Sequence, residues 1–313
     1  MIDFGALLFP NTKWATLVDR CERAEEFGFR SLWIDDHGTN PQAPKSNWFE
    51  AFTTLAGLAN CTRRILLGPL VSNVILRHPA LLARQALTIE SMSGGRLQLG
   101  LGAGYASTDH ELLGTEPWPR EERQGRFAEA VELIDALLRA EPVDYAGEHY
   151  RVHDVRLRPA PVRRPRPPMC IAAHSRSSLR LAARFGDIWS SFGGWGLSSP
   201  ELVAITKQRS AALDEFCVEF GRTPSSVRRQ ILAGSPATTP DPIWSSVQAF
   251  DEWVAGWQQV GMNEIVLYFP PDLLYEPELI DPLVVEHLRG LLFARRSGDQ
   301  RTAVNGQRRA AHE

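Results

Sequence analysis

Long apolar segments are absent from this 313-residue sequence. No run of about 18 or more apolar residues occurs, which argues against a transmembrane helix. Met1-Ile2-Asp3-Phe4 also lacks the basic region and the following apolar region that a secretory signal peptide has. We therefore expect a cytoplasmic protein that does not insert into a membrane.

Cysteine is scarce and dispersed. The sequence contains four, and none of them forms a closely spaced pair: Cys21, Cys61, Cys170 and Cys217. This spacing argues against a zinc site and against a disulfide framework. We interpret the cysteines as small buried hydrophobic residues.

An excess of charge of either sign is also missing. The chain has 34 basic and 37 acidic residues, a formal net charge of -3, and thus no electrostatic footprint for nucleic acid or an anionic membrane. The cluster Arg163-Arg164-Pro165-Arg166 lies among prolines, and we interpret it as a solvated connector. Lysine is rare among the basic residues, which suggests a GC-rich genome.

Short apolar runs alternate with amphipathic stretches along most of the chain. The runs predict eight strands, at Asp3–Phe9, Ser31–Ile34, Ile65–Val71, Leu97–Leu101, Met169–Ala172, Ile188–Ser191, Arg229–Ala233 and Glu264–Tyr268. The stretches between them predict helices at Trp14–Phe27, Trp48–Asn60, Pro79–Ser93, Arg123–Leu138, Ser177–Phe185, Pro200–Phe220, Ile243–Val260 and Leu279–Leu292. Strands that alternate with helices pair in parallel through right-handed crossovers.

Eight such units predict a closed (β/α)8 barrel, the TIM-barrel α/β fold, over residues 1–294. The strands are apolar on both faces, as buried parallel strands are. The alternative is a doubly wound open sheet. That fold favours a glycine-rich phosphate loop after the first strand, whereas Phe9-Pro10-Asn11-Thr12 follows there.

Two segments depart from the alternation. From Glu141 to Pro168, Tyr145-Ala146-Gly147-Glu148-His149-Tyr150 lies between short extended runs, which predicts a small hairpin extension followed by a proline-rich connector. The stretch Arg295–Glu313 is polar and has no apolar period, so we expect a disordered tail.

In a barrel of this kind the reactive site lies at the C-terminal ends of the strands. This rule selects the polar segments that directly follow the apolar runs: Asp35-Asp36-His37, Ser72-Asn73, Arg77-His78, Gly102-Ala103-Gly104-Tyr105 and His174-Ser175-Arg176-Ser177-Ser178.

His37 is the sharpest catalytic candidate. An imidazole that titrates near neutral pH can give a proton to a substrate heteroatom or take one from it, and we expect Asp36 to hold its tautomer. The alternative is that Asp36 caps a short helical turn while His37 packs beneath a loop. His78, at a predicted helix start, is interpreted as structural.

The segment from His174 to Ser178 opens a predicted helix directly after a strand. Backbone N–H groups, hydroxyls and the Arg176 guanidinium would stabilise an anion there, so the segment is a candidate phosphate site; the alternative is a plain serine N-cap. Gly102 and Gly104 would let a flat ligand approach the backbone, although glycines at a barrel rim are also ordinary turn residues.

Several longer stretches together resemble the bacterial luciferase-like oxidoreductase family, and they cover most of residues 1–290. The resemblance is carried by Ser31-Leu32-Trp33-Ile34-Asp35-Asp36-His37, by Arg77-His78-Pro79 through Ser93-Gly94-Gly95-Arg96-Leu97-Gln98-Leu99-Gly100-Leu101-Gly102-Ala103-Gly104-Tyr105, by Arg126-Phe127 through Leu138, and by Leu179 through Trp189.

The resemblance implies a (β/α)8 barrel that binds reduced FMN or the deazaflavin coenzyme F420. It implies that Ser175 to Ser178 take the cofactor phosphate, that Ser72 and Asn73 back the ring system, and that Gly102 to Tyr105 line its edge. It further implies a bulge or a cis peptide near Ser72-Asn73, a small organic substrate, a separate reductase that supplies reduced cofactor, and a homodimer.

The sequence departs from the family pattern in three places. Ala173-His174 replaces a Gly-Gly pair that many relatives have, so the phosphate loop is bulkier. Tyr105 stands where some deazaflavin dehydrogenases of the family have a catalytic glutamate, which argues against glucose-6-phosphate oxidation in their manner. On the next turn only Asp109 remains of an acidic pair, with Ser107 in the other place.

The function that we expect is hydride transfer to or from a small organic substrate by reduced F420, with His37 supplying or accepting the proton. Similarity of the Asp36-His37 segment and of the strand-three segment to deazaflavin members, together with the arginine-rich composition, favours F420 over FMN. Aromatic residues that could line the substrate side, or instead form ordinary core, are Trp33, Trp48, Phe192 and Trp195.

Three alternatives stay open. FMN would permit oxygen activation and monooxygenation. A non-catalytic flavin-binding barrel is the second alternative, against which His37 argues. A metal-assisted hydrolase is the third, because four histidines fall near strand ends (His37, His78, His110 and His174), but no paired-histidine helix motif supports a metal.

Overall fold

Strands and helices alternate along the chain in this computed structural model, which describes residues 2–41, 43–139, 141–192, 194, 196–235, 242–270 and 277–294. The strands are β1 (Asp3–Leu8), β2 (Ser31–Ile34), β3 (Leu66–Pro69), β4 (Ser72–Asn73), β5 (Leu99–Gly102), β6 (Val143–Ala146), β7 (Arg151–Val155), β8 (Met169–Ala172), β9 (Ile188–Phe192), β10 (Arg228–Ala233) and β11 (Glu264–Tyr268).

The helices lie between the strands. They are α1 (Trp14–Phe27), α2 (Ala51–Cys61), α3 (Pro79–Met92), α4 (Ser107–Leu113), α5 (Arg120–Leu137), α6 (Arg176–Phe185), α7 (Ser199–Glu219) and α8 (Val247–Gln259), followed by α9 at residues 282–294. In the described part of the chain, none of them has the length and apolar character needed to cross a bilayer.

Nine parallel strands form one sheet in the order β3-β2-β1-β11-β10-β9-β8-β5-β4. Only Leu70 and Val71 separate β3 from β4, so these two strands occupy one position of the sheet. A parallel bridge between Leu67 and Leu97 joins β3 to the residues just before β5. The sheet therefore curls into a barrel with eight strand positions, as predicted, and the open doubly wound alternative is wrong.

A separate two-stranded antiparallel sheet, β6-β7, lies between α5 and β8 and confirms the predicted hairpin. Its turn is fixed by the Glu129 carboxylate on α5, which accepts hydrogen bonds from the backbone N–H groups of Glu148, His149 and Tyr150 at 2.8 to 3.2 Å. An ionised carboxylate that accepts several backbone N–H groups is a strong local anchor.

Apolar side chains pack on both surfaces of the ring, as expected for strands without a polar face. The larger cluster fills the space between the strands and the surrounding helices. A smaller cluster forms a separate group within the barrel: Leu7, Trp33, Leu70, Cys170, Ile188, Val266 and Tyr268. Trp33 is fully buried in it and donates its indole N–H to Ser31 Oγ at 2.8 Å, so Trp33 is core.

Other sequence predictions have mixed outcomes. All four cysteines are free, and all except the half-buried Cys61 are buried. The short helix α4 was not predicted, since seven residues give too little periodicity to recognise. The predicted tail, Arg295–Glu313, lies outside the described residues.

Candidate functional site

The sequence-predicted polar segments gather at one end of the barrel. Each follows the C-terminal end of a strand, and β2, β3/β4, β5 and β8 are consecutive positions of the ring. The pairs Asn73–Gly102 and Leu101–Ile171 fix the register of β4 with β5 and of β5 with β8. The segment after β5 and the segment after β8 therefore lie side by side at the same mouth.

His37 is held at this mouth by a buried carboxylate. Its Nδ1 lies 3.0 Å from Asp109 Oδ2, and Asp109 is fully buried. The same carboxylate accepts the Gly38 backbone N–H at 2.7 Å and the Asn73 Nδ2–H at 3.1 Å. Since an ionised carboxylate only accepts hydrogen bonds, the proton of this contact belongs to Nδ1 of His37. Nε2 is then the nitrogen that can face a ligand.

Asp36 does not hold the tautomer of His37, and that expectation was wrong. Its carboxylate makes a two-pronged ion pair with the Arg77 guanidinium, at 2.6 and 3.0 Å. Arg77 also donates to Glu50, whose carboxylate caps α2. Successive residues of an extended backbone point to opposite sides, so Asp36 and His37 have different partners.

A second carboxylate lies on the other side of the imidazole. Asp35 Oδ1 is 3.8 Å from His37 Nε2, within ion-pair range but too far for a hydrogen bond. Burial raises the pKa of Asp35 to about 6, although His37 acts in the opposite direction. Burial alone would lower the pKa of His37, but the hydrogen bond to Asp109 and the charge of Asp35 more than offset it, so the pKa is raised.

Ser72 and Asn73 lie behind this group and are buried. The side-chain amide of Asn73 donates to Asp36 O at 3.2 Å as well as to Asp109, and its carbonyl accepts the backbone N–H groups of Ile75 and Leu76. Asn73 therefore positions Asp109 and the chain after β4. The cis peptide expected near these residues is confirmed, since the Leu70-Val71 bond is cis.

Gly102 at the end of β5 and Gly104 just after it make room for neighbouring side chains, not for an open slot. A Cβ atom at Gly102 would lie 2.5 Å from Val71 Cγ2, and one at Gly104 would lie 2.6 Å from Ile75 Cδ1. Gly104 also has a φ of 74°, which favours glycine. We expected a flat ligand to lie against these two glycines. The side chains of Val71 and Ile75 occupy that space instead.

Tyr105 remains available to a ligand at the mouth. It is 66% exposed, and its ring meets the His37 ring edge-on with 5.5 Å between centroids. Local burial and the charges of Asp35 and Asp109 raise the pKa of its hydroxyl. Tyr105 can therefore act as a neutral hydrogen-bond donor or as a wall beside His37.

The start of α6 combines a serine cap with free backbone donors. Ser175 Oγ accepts the Ser178 N–H at 3.3 Å, and Ser178 Oγ accepts the Ser175 N–H at 3.1 Å and the His174 N–H at 3.2 Å. No acceptor in the described chain bonds the N–H groups of Arg176 and Ser177. The serine cap and a phosphate site are therefore compatible, because these two donors remain free.

Arg176 does not face this helix start. Its guanidinium lies 3.7 Å from Glu215 on α7 and 4.8 Å from the centre of the Phe216 ring. The first turn of α6 directs this side chain towards α7, so the structure does not place its guanidinium at the helix start, where we expected it.

A different arginine, Arg209 on α7, lies near the same corner. Its Nη1 donates to Phe192 O at 3.2 Å, while His174 Nε2 accepts the Phe192 N–H at 2.9 Å. Burial and the charge of Arg209 lower the pKa of His174 to about 4, which agrees with Nε2 acting as an acceptor. Arg209 forms no ion pair with any residue in the described chain, and no sequence motif marked it in advance.

Aromatic side chains border the mouth on the side of β1 and β11. The Phe9 ring lies 5.4 Å from the Tyr268 ring and 6.1 Å from the Trp48 ring, centre to centre. Phe9, Trp48 and Phe192 are half-buried and can meet an apolar ligand, whereas Trp195 lies outside the described residues.

Two of the histidines that fall near strand ends, His78 and His110, have protein partners. His78 Nδ1 accepts the Ala80 N–H as the N-cap of α3, as its structural interpretation predicted. His110 pairs with Thr115 at 3.1 Å. Across the described ranges, the only group of three close potential ligands is Glu129, Glu148 and His149 at the hairpin, where Glu129 is already occupied by backbone donors.

A cavity of about 630 Å³ lies at the opposite end of the barrel, before the first residues of β8 and β9. Its arginines are mostly used within the protein. The buried Arg166 pairs with Asp135 at 2.6 Å and Asp187 at 2.5 Å, and Arg163 pairs with Glu90. Two arginines of the predicted solvated connector, Arg163 and Arg166, are therefore held in ion pairs within the protein.

Comparisons with known proteins bear on both the fold and the site. The sequence profile of a family described as luciferase-like monooxygenase matches residues 2–264. The chain is 30% identical over 269 residues to 4-hydroxyprotoasukamycin monooxygenase of Streptomyces nodosus subsp. asukaensis, covering 82% of this chain and 69% of that protein. It is 34% identical over 221 residues to an F420-dependent glucose-6-phosphate dehydrogenase of Intrasporangium calvum, covering 69% and 63%.

Among solved structures, an F420-dependent secondary alcohol dehydrogenase in complex with an F420-acetone adduct matches this chain with a TM-score of 0.73 at 18% identity. The match covers 85% of this chain and 93% of that one, and at this identity it concerns the fold. The two curated relatives above are matched over about two thirds of their own length, 69% and 63%.

Proposed function

This chain belongs to the luciferase-like monooxygenase family of oxidoreductases, and on that premise we propose that it binds reduced coenzyme F420 and transfers hydride to or from a small organic substrate. The observation that carries the proposal is the position of His37. It stands at the barrel mouth with Nδ1 fixed by Asp109 and Nε2 without a hydrogen bond to any described residue.

The start of α6 fits the phosphate of such a cofactor. A helix N-terminus with free N–H groups stabilises an anion, and Ser177 adds a hydroxyl next to the donors of Arg176 and Ser177. The Arg209 guanidinium reaches this corner through its hydrogen bond to Phe192 O. We therefore infer that Ser177, Arg209 and the first-turn N–H groups hold the phosphate.

The bound coenzyme supplies the hydride chemistry, and the chain supplies position and the proton. His37 gives a proton to the substrate heteroatom, or takes one from it, through Nε2. Asn73 and Gly38 hold the Asp109 carboxylate that orients the ring. Phe9, Trp48 and Tyr268 offer an apolar wall to the substrate and exclude water.

Monooxygenation with reduced FMN is the second candidate function. The observation that favours it is the similarity to 4-hydroxyprotoasukamycin monooxygenase, which extends over 82% of this chain. The similarity to several F420-dependent dehydrogenases favours F420 instead. In either case we expect a small organic substrate, a cytoplasmic homodimer, and a separate reductase that reloads the cofactor.

Titration of the purified protein with F420 and with FMN, followed by fluorescence quenching, separates the two. We expect F420 to bind at least tenfold more tightly, and reduced F420 to be reoxidised when an acceptor substrate is added. Tighter binding of FMN together with substrate-dependent oxygen uptake would establish the second candidate. Binding without turnover against any reductant would establish a non-catalytic flavin-binding barrel.

A further inference from the structure

Two carboxylates flank the His37 imidazole, one near each ring nitrogen. Asp109 binds Nδ1 at 3.0 Å, and Asp35 Oδ1 lies 3.8 Å from Nε2. The first contact is a hydrogen bond, while the second leaves the Nε2–H free for another acceptor. The imidazole therefore sits between two negative groups without losing the donor that points away from Asp109.

Asp35 is fixed in place and its charge is not neutralised by an arginine. Its Oδ1 accepts the backbone N–H of Asp36 at 3.0 Å, and 21% of its side chain is exposed. The neighbouring Asp36 is different, because Arg77 neutralises its charge through hydrogen bonds to both carboxylate oxygens. Among the described residues, His37 is the only basic side chain within ion-pair distance of Asp35.

The remaining charged and titratable groups around the ring do not cancel the negative potential that Asp35 and Asp109 create at His37. Asp36 adds negative potential but is paired with Arg77, which also binds Glu50. Tyr105 approaches from the loop after β5, and Tyr268 approaches from β11; both interact with Asp35, and both have raised pKa values, so they are neutral near pH 7. The net field at His37 is negative and favours the imidazolium.

We propose that Asp35 and Asp109 together hold His37 as an imidazolium whose Nε2–H is the proton donor, so that this site reduces a polarised C=O or C=N bond rather than oxidising an alcohol or amine. The inference rests on the proposed hydride function. A neutral imidazole would be needed as a base for the reverse direction, and the two carboxylates disfavour it at neutral pH.

The proposed step balances as follows. The substrate carbon receives a hydride from the reduced deazaflavin, which is thereby oxidised by two electrons. The π electrons of the C=O or C=N bond move to the heteroatom, which takes the proton from Nε2 of His37. The ring is left neutral, with its remaining proton on Nδ1 and directed at Asp109, and is reprotonated from solvent at the exposed mouth.

The charge of His37 can be measured without a cofactor. Histidine Cε1–H NMR signals of the full chain are followed over pH 5 to 10, with His37→Gln identifying the signal. We expect His37 to titrate above ordinary histidines, and Asp35→Asn to lower its pKa by about one unit, a tenfold change in the imidazolium ratio near pH 8. Asp19→Asn, an exposed carboxylate on α1, should leave the signal unchanged.

An unchanged His37 titration in Asp35→Asn would overturn the role of Asp35. If Asp35→Asn fails to fold, Asp35→Ser provides the same test, since it also removes the carboxylate and should also lower the pKa of His37. These results are independent of F420, so a chain that shows the shift but does not bind F420 contradicts the proposed function and not the charge state.

The direction of the reaction is tested with reduced F420 and two probes, cyclohexanone and 2-cyclohexen-1-one. We expect substrate-dependent reoxidation whose kcat/KM falls at alkaline pH, with the fall beginning about one pH unit lower in Asp35→Asn while F420 affinity is retained. No reoxidation with either probe, or a rate that rises with pH, would contradict the assignment of a carbonyl or imine substrate.

Discussion

The Nδ1 atom of His37 and the Oδ2 atom of Asp109 are 3.0 Å apart, although 72 positions separate the two residues along the chain. The register of β4 with β5 brings them together, because Asn73 at the end of β4 also binds Asp109 at the start of α4. Asp109 therefore orients the imidazole, while Nε2 of the same ring stays available at the mouth.

Replacing His37 by alanine should remove the proton donor and leave the cofactor site intact. General acid–base catalysis contributes about 10²- to 10⁴-fold in rate, so we expect kcat of His37→Ala to fall by about that range while F420 affinity changes less than threefold. Steady-state kinetics and fluorescence titration of the same preparation measure both quantities. Normal cofactor binding with turnover at the parental rate would remove the proton-transfer role.

Replacing Arg77 by methionine should destabilise the fold. Its side chain is 8% exposed and its partner Asp36 only 1%, and removing one member of a buried ion pair leaves the other charge unpaired. The expected cost is about 3 to 5 kcal/mol of unfolding free energy, measured by urea denaturation at pH 7.

The matched control is Arg23→Met on α1. The Arg23–Asp19 pair is 3.9 Å apart and 64% exposed on each side, so its loss should change the unfolding free energy by less than about 1 kcal/mol. Equal denaturation midpoints for the two variants would show that Asp36 is not held by Arg77.

Much of the fold follows from the sequence because the barrel strands are short apolar runs that are covered on both sides. Helix α1 begins and ends where its pattern predicts, Trp14–Phe27, and β2 and β8 do as well. The cis peptide at Leu70-Val71 could not be obtained from the pattern, and only the family resemblance indicated it.

The site was harder to predict, for physical reasons. Asp36 is adjacent to His37 in sequence, but extended backbone sends the two side chains in different directions. Asp109 lies far along the chain, on a helix too short to show a pattern. Arg176 is in the correct segment, yet the 100° turn per helical residue directs it to α7, and Arg209 reaches the corner from the interior of a different helix.

The two arginines near α6 provide a matched pair for locating the cofactor phosphate. Arg209→Met should weaken F420 and FMN binding by about 10- to 150-fold, since a charge-assisted hydrogen bond to phosphate is worth roughly 1.5 to 3 kcal/mol. Arg176→Met should leave both affinities unchanged, because that guanidinium contacts Glu215 and Phe216. Fluorescence titration of both variants gives the comparison, and a loss confined to Arg176→Met would place the phosphate elsewhere.

The carboxyl group of Asp35 should make stability depend on pH in an identifiable way. Its pKa is raised from 3.8 to about 6 in the folded chain, so the native state holds a proton that the unfolded state has already lost. The protonated Asp35 carboxyl therefore adds to the unfolding free energy. This contribution is fully present below about pH 4 and is lost as the pH rises through 6.

An asparagine at position 35 cannot ionise and keeps that contribution at every pH. Relative to the parent, Asp35→Asn should therefore gain unfolding free energy as pH rises from 4.5 to 7.5, by on the order of 2 kcal/mol in total. Urea denaturation of both proteins at pH 4.5, 6.0 and 7.5 measures this difference, with Asp19→Asn as the control that should show none. A difference that is constant across the three pH values, or that reverses in sign, would mean that the Asp35 carboxyl is not held in the desolvated position from which its interaction with His37 follows.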